Sequence, residues 1–61
     1  MKLKNKKNII EIISEEKQLT IVKHDEMMLR YSHTYPTVEQ MQAAMDKYIG
    51  NRQAEGYRIV E

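Results

Sequence analysis

Cysteine is absent from this 61-residue chain. That excludes disulfide bridges and thiolate metal sites, and it fits a reducing, cytoplasmic setting. Long apolar runs are absent too, so no segment reads as a membrane span. Residues 1–13, MKLKNKKNIIEII, are basic and then apolar, but Glu11 interrupts the short apolar core and no small-residue cleavage site follows, unlike a signal peptide. Charge of one sign is not in excess: ten Lys and Arg against nine Asp and Glu leave a formal charge of +1, unlike a strongly basic nucleic-acid binder. Glycine is too sparse to form a phosphate-cradling loop.

Catalytic groupings are missing as well. Ser14 and Ser32 have no base at motif spacing. Glu15 and Glu16 are adjacent and diverge in an extended chain, which is wrong for paired acid–base chemistry. His24, Asp25, Glu26 and His33 are metal-ligand types, but His24 falls close to the turn and His33 at the far end of the strand that follows it, too far apart for one ion. A pocket of several hundred Å3 is hard to build in so small a chain. The expectation is therefore a non-enzyme with no cofactor, no metal and no small-molecule substrate.

What is present reads as one small domain. A chain of this size buries only roughly 60% of its unfolded surface, so its margin is thin and a partner chain is a common supplement. Residues 1–7 read as a flexible basic tail carrying Lys2, Lys4, Lys6 and Lys7, and residues 8–61 as a single α+β domain. Residues 8–14, NIIEIIS, are rich in β-branched isoleucine and predict a strand. A helix is the rival, since Ile9, Ile12 and Ile13 can share a helical face. Residues 14–18, SEEKQ, form a polar turn without glycine. Residues 19–23 and 27–33 predict two further strands, with His24, Asp25 and Glu26 as a solvated break between them. On the last of these strands Met27, Leu29 and Tyr31 face one side, and Met28, Arg30 and Ser32 the other.

The clearest element is a helix. Pro36 discourages helical geometry at Tyr35, Thr37 and Gln40 can form a capping box, and Glu39 suits the first turn. Val38, Met41, Met45, Tyr48 and Ile49 then recur along one stripe. The helix is expected to run to about Glu55, with Gly50 as a weak point and Gly56 as the C-terminal cap. Residues 57–61 predict a short last strand returning beside the hairpin. The fold expected is a three- to four-stranded antiparallel sheet covered on one face by a single long amphipathic helix, in the order β-β-β-α-β.

One helix covers one sheet face, yet the first strand has apolar residues on both: Ile10 and Ile12 point one way, Ile9 and Ile13 the other. A sheet with one wet face alternates more cleanly. The surplus predicts a docking face formed by Ile9, Ile13, Met28 and Arg30. Met27, Met41 and Met45 suit a flexible core. Arg30, Tyr31, His33 and Tyr35 mix cations with aromatics, a composition suited to phosphates and stacked bases, although alternation places Arg30 apart from the other three.

Residues 35–57, YPTVEQMQAAMDKYIGNRQAEGY, resemble the C-terminal part of WGR domains, which pair a strand with an acid-rich helix start and are associated with nucleic-acid binding. Arg30, Tyr31, Ser32 and His33 stand where the Trp-Gly-Arg signature would be and retain none of it, so the resemblance implies no site residues.

Two functional expectations follow. The first is a protein-binding module, homodimeric or acting as an adaptor or inhibitor-type accessory protein of the kind bacteria and phages carry. The second is a nucleic-acid-binding module using Lys2, Lys4, Lys6, Lys7 and Arg30, with His33 or Tyr35 stacking.

Overall fold

The computed structural model describes residues 1–24 and 27–60. Its elements are β1 (Lys2–Asn5), β2 (Asn8–Glu15), β3 (Gln18–His24), β4 (Leu29–Thr34), α1 (Val38–Ala54) and β5 (Arg58–Ile59). They form a five-stranded sheet in the order β4-β3-β2-β1-β5 with one helix. Each neighbouring pair is antiparallel. The α+β class and the single helix match the sequence reading, and β2 is a strand rather than the rival helix.

The principal correction is at the start of the chain. Residues 2–5, read as a tail, form β1, which is paired to β2 on one side and β5 on the other. The cause is one side chain. Leu3 is fully buried, and around it Lys2 and Lys4 alternate outward, so a single apolar residue anchors a strand that composition disguises. The turn into β2 gives no warning either. The pairing of Asn5 with Asn8 leaves a two-residue loop, Lys6-Lys7, and that of Glu15 with Gln18 leaves Glu16-Lys17. The first residue of each loop adopts a left-handed backbone, with φ 58° at Lys6 and 55° at Glu16. Glycine or asparagine usually fills such positions, and an ordinary L-residue there costs roughly 1–2 kcal/mol. The fifth strand also shifts the last one: β5 lies beside β1, not beside the hairpin.

The register fixes the two faces, because directly paired residues point to the same side. Leu3, Ile10, Ile12, Leu19 and Ile21 line the face under the helix and are buried there with Met41 and Ile49, while Tyr35, Met45, Tyr48 and Tyr57 are partly buried at its border. Burying each aliphatic side chain contributes roughly 1.5–3 kcal/mol. Val38, expected on the buried stripe, is exposed at the first turn of the helix. On β4 the helix side is thinly covered: Leu29 and Tyr31 remain 45% and 47% exposed. Tyr31 is therefore not a core residue, and Met27, which precedes β4 and is 70% exposed, is no part of the core. Asp25 and Glu26, expected to solvate the turn, lie outside the described residues.

The helix starts and ends where the sequence implies, with one of the two capping-box bonds formed at its start. The Gln40 amide donates to Thr37 Oγ1 at 3.1 Å. At the far end the Tyr57 amide donates to the Arg52 carbonyl at 3.1 Å and the Gly56 amide to that of Gln53 at 3.0 Å, the paired bonds of a Schellman cap. Gly56 supplies the φ of +107° this requires. The helix runs through Gly50 without a break. It carries the chain from the β4 edge to the β5 edge on one face, and among the described residues no element covers the opposite face of the sheet.

Candidate functional site

That uncovered face is the candidate site. In one row across the sheet stand Lys2, Glu11, Val22 and Arg30. The next row holds Arg58, Lys4, Ile9 and His24. A third holds Ile13, Thr20 and Ser32. The face thus has an apolar middle. Val22 is buried, Ile9 is half-buried and Ile13 is 37% exposed. Around it lie the cations Lys2, Lys4, Arg30 and Arg58, and among the described residues Glu11 and Glu15 are the carboxylates on the same face.

Local polar contacts hold the middle in place. Thr20, 7% exposed, shares a hydrogen bond of 3.0 Å with the Ser32 hydroxyl, so its buried oxygen is satisfied. Glu11 Oε1 lies 3.4 Å from His24 Nε2, a partly exposed contact of small energetic value. These two side chains, with Lys2 and Ile9, line a shallow depression of about 280 Å3. A second depression, of about 380 Å3, lies at the β2–β3 turn between Glu15, Glu16, Lys17, Gln18 and Thr34. The residues that line it are all polar or charged.

The structure sorts the sequence-predicted residues. Ile9, Ile13 and Arg30 share the open face, as expected; Met28 precedes β4 and is exposed outside the sheet. Of the proposed phosphate-binding set, Lys2, Lys4 and Arg30 are on the open face, and Lys6 and Lys7 form the loop at one end of it. His33 and Tyr35 are elsewhere. His33 pairs with Leu19 on the helix side, and its ring packs edge-on against Tyr35 at 4.4 Å. His24 and His33 are therefore on opposite faces, and no cluster of three or more His, Asp or Glu side chains suited to a metal occurs among the described residues. Arg58 is the residue sequence reasoning missed. Only its pairing with Lys4 reveals it, and that pairing depends on β1.

On the helix side, Tyr48 and Arg52 hold polar atoms out of water. The Tyr48 hydroxyl and Arg52 Nε are buried without a well-formed hydrogen bond among the described residues. The Arg52 guanidinium lies 5.0 Å over the Tyr48 ring and bonds Glu55 at 2.9 Å. Burial pushes the Tyr48 pKa up to about 12; the adjacent Tyr31 adds to the rise and Arg52 opposes it. A raised phenol pKa means that the unfolded chain ionises first as pH climbs. The stabilising contribution is thus intact below about pH 10 and is lost between about pH 10 and 12. In an absorbance titration one of the four tyrosines should ionise late, and Tyr48→Phe should remove that phase while the chain stays folded.

Among the described residues no helix is long and apolar enough to cross a membrane. Comparison with protein-family models, curated proteins and solved structures finds no match to this chain.

Proposed function

We propose that the protein is a small non-catalytic binding module that holds another protein, as an adaptor or inhibitor does, on the open face of its sheet. The observation that carries this reading is the uncovered apolar middle, Ile9 and Ile13, inside a border of Lys2, Lys4, Arg30 and Arg58. An apolar centre with a charged rim is the usual anatomy of a protein interface. The excess of cations says which partner suits it. Two copies placed face to face would set four cations against their like, whereas a surface with carboxylates around an apolar centre complements them.

Photo-crosslinking tests this. A crosslinker at position 13 should capture one defined protein from the native cell extract, and one at Gln42, on the outer helix face, should not. Ile9→Asp should reduce the capture at least tenfold. The same set of products from both positions would sink the reading.

Nucleic acid is the second reading, favoured by the gathering of Lys2, Lys4, Arg30 and Arg58 on one face. That face has no tyrosine for bases to stack on, since Tyr31, Tyr35, Tyr48 and Tyr57 belong to the helix side. Four phosphate contacts would make binding fall roughly 100-fold between about 50 and 200 mM salt. A titration with single-stranded and duplex DNA that shows no binding at the lower salt would remove this reading.

A further inference from the structure

We propose that the free edge of β4 pairs with the β4 edge of a second copy of this chain, so that two sheets join into one continuous antiparallel sheet. β4 ends the sheet on its side, and all six of its residues are exposed. The direction of its backbone groups follows from one bond. The Tyr35 amide donates to the Lys17 carbonyl at 2.9 Å, next to the pairing of Gln18 with Thr34. In an antiparallel ladder the bonding direction alternates along a strand. Leu29, Tyr31 and His33 therefore turn their backbone toward β3, and Arg30, Ser32 and Thr34 present amide and carbonyl groups outward.

Nothing in β4 guards those groups. It contains no proline, its register with β3 is unbroken from Thr34 to Leu29, and its one formal charge, Arg30, lies on the open face. Native edges are usually blunted by such devices or kept short. The opposite edge, β5, is only two residues long.

A second copy fits through a twofold axis perpendicular to the sheet at Ser32. Paired residues must then lie on the same face and use outward groups, which confines the axis to a residue rather than a gap between residues. Centring on Ser32 engages all three outward residues: Ser32 meets the partner's Ser32, and Arg30 meets the partner's Thr34. Centring on Tyr31 engages only Arg30 and Ser32, and centring on Arg30 opposes two arginines directly. In the Ser32 register the half-exposed Tyr31 and Leu29 face the partner's His33 and the partner's Tyr35 on the helix side, gaining cover they lack in one copy. The dimer carries both helices on one side. Its two open faces adjoin on the other, doubling the length of the binding surface. Self-pairing holds whether or not that face takes a partner.

Sedimentation equilibrium across a concentration series should show the chain rising from one-chain to two-chain mass. Over the same series, hydrogen exchange should slow at the Arg30, Ser32 and Thr34 amides and not at those of Tyr31 or His33. Thr34→Pro removes an outward amide that meets the partner's Arg30, and Tyr31→Lys places a charge in the apolar part of the seam. Each should weaken association at least tenfold with an unchanged circular dichroism spectrum. A chain that keeps one-chain mass at millimolar concentration would overturn the proposal. So would a dimer that survives both folded variants, or one whose exchange protection falls on β5 or on the open face.

Discussion

Replacing Leu3 with alanine should cost about 2–5 kcal/mol, the usual range for emptying a fully packed leucine site. Leu3 is 0% exposed, pairs with Ile10 and Ile59, and belongs to the same cluster as Met41 and Ile49. A domain this small has about 5 kcal/mol in hand, so the variant should be close to unfolded at room temperature. Deleting residues 1–7 goes further. It removes the strand that joins β2 to β5, and it should abolish the far-ultraviolet dichroism of the folded chain. Met28→Ala, at a 68%-exposed site, is the control and should shift stability by no more than about 0.5 kcal/mol. Urea unfolding decides the matter. If the truncated chain melts at the full-length midpoint, β1 is dispensable and the core described above is wrong.

The two glycines should respond to alanine with opposite signs. Gly56 holds a left-handed φ of +107° at the helix cap, and an added Cβ would come within 3.3 Å of Asn5 Nδ2. Gly56→Ala should therefore destabilise by about 1–2 kcal/mol, lowering Tm by roughly 4–8 °C per kcal/mol for a domain of this size. Gly50 is inside α1 and an added Cβ there would meet nothing within 4 Å. Gly50→Ala should stabilise by about 1 kcal/mol, because alanine restricts the unfolded backbone and favours the helix. A loss at position 50 would mean that the helix is broken or packed there, contrary to its continuous course.

What could be read from residues alone was local chemistry. Thr37, Gln40 and Gly56 mark the helix ends because capping needs those groups within one turn of the chain. Ile9 to Ile13 declare both faces of β2 because side chains alternate along any strand. β1 escaped because it has one apolar residue among lysines, and its turn uses Lys6 where glycine would have signalled it. Alternation alone also separated Arg30 from Tyr31, His33 and Tyr35, and pairing with Leu19 and Ile21 puts Tyr31 and His33 on the helix side.

The sequence by itself determined the helix, the strand character of β3, and the apolar excess at Ile9, Ile10, Ile12 and Ile13, each a matter of a few consecutive side chains. Only the tertiary structure decided that residues 2–5 are a strand, that Arg58 joins Lys2, Lys4 and Arg30 on one face, and that β4 is left as an open edge. Those facts depend on which strands become neighbours. Neighbours far apart in the chain are chosen by the burial of Leu3, Ile10 and Ile21 beneath one helix, a sum over the whole fold that no short stretch of residues contains.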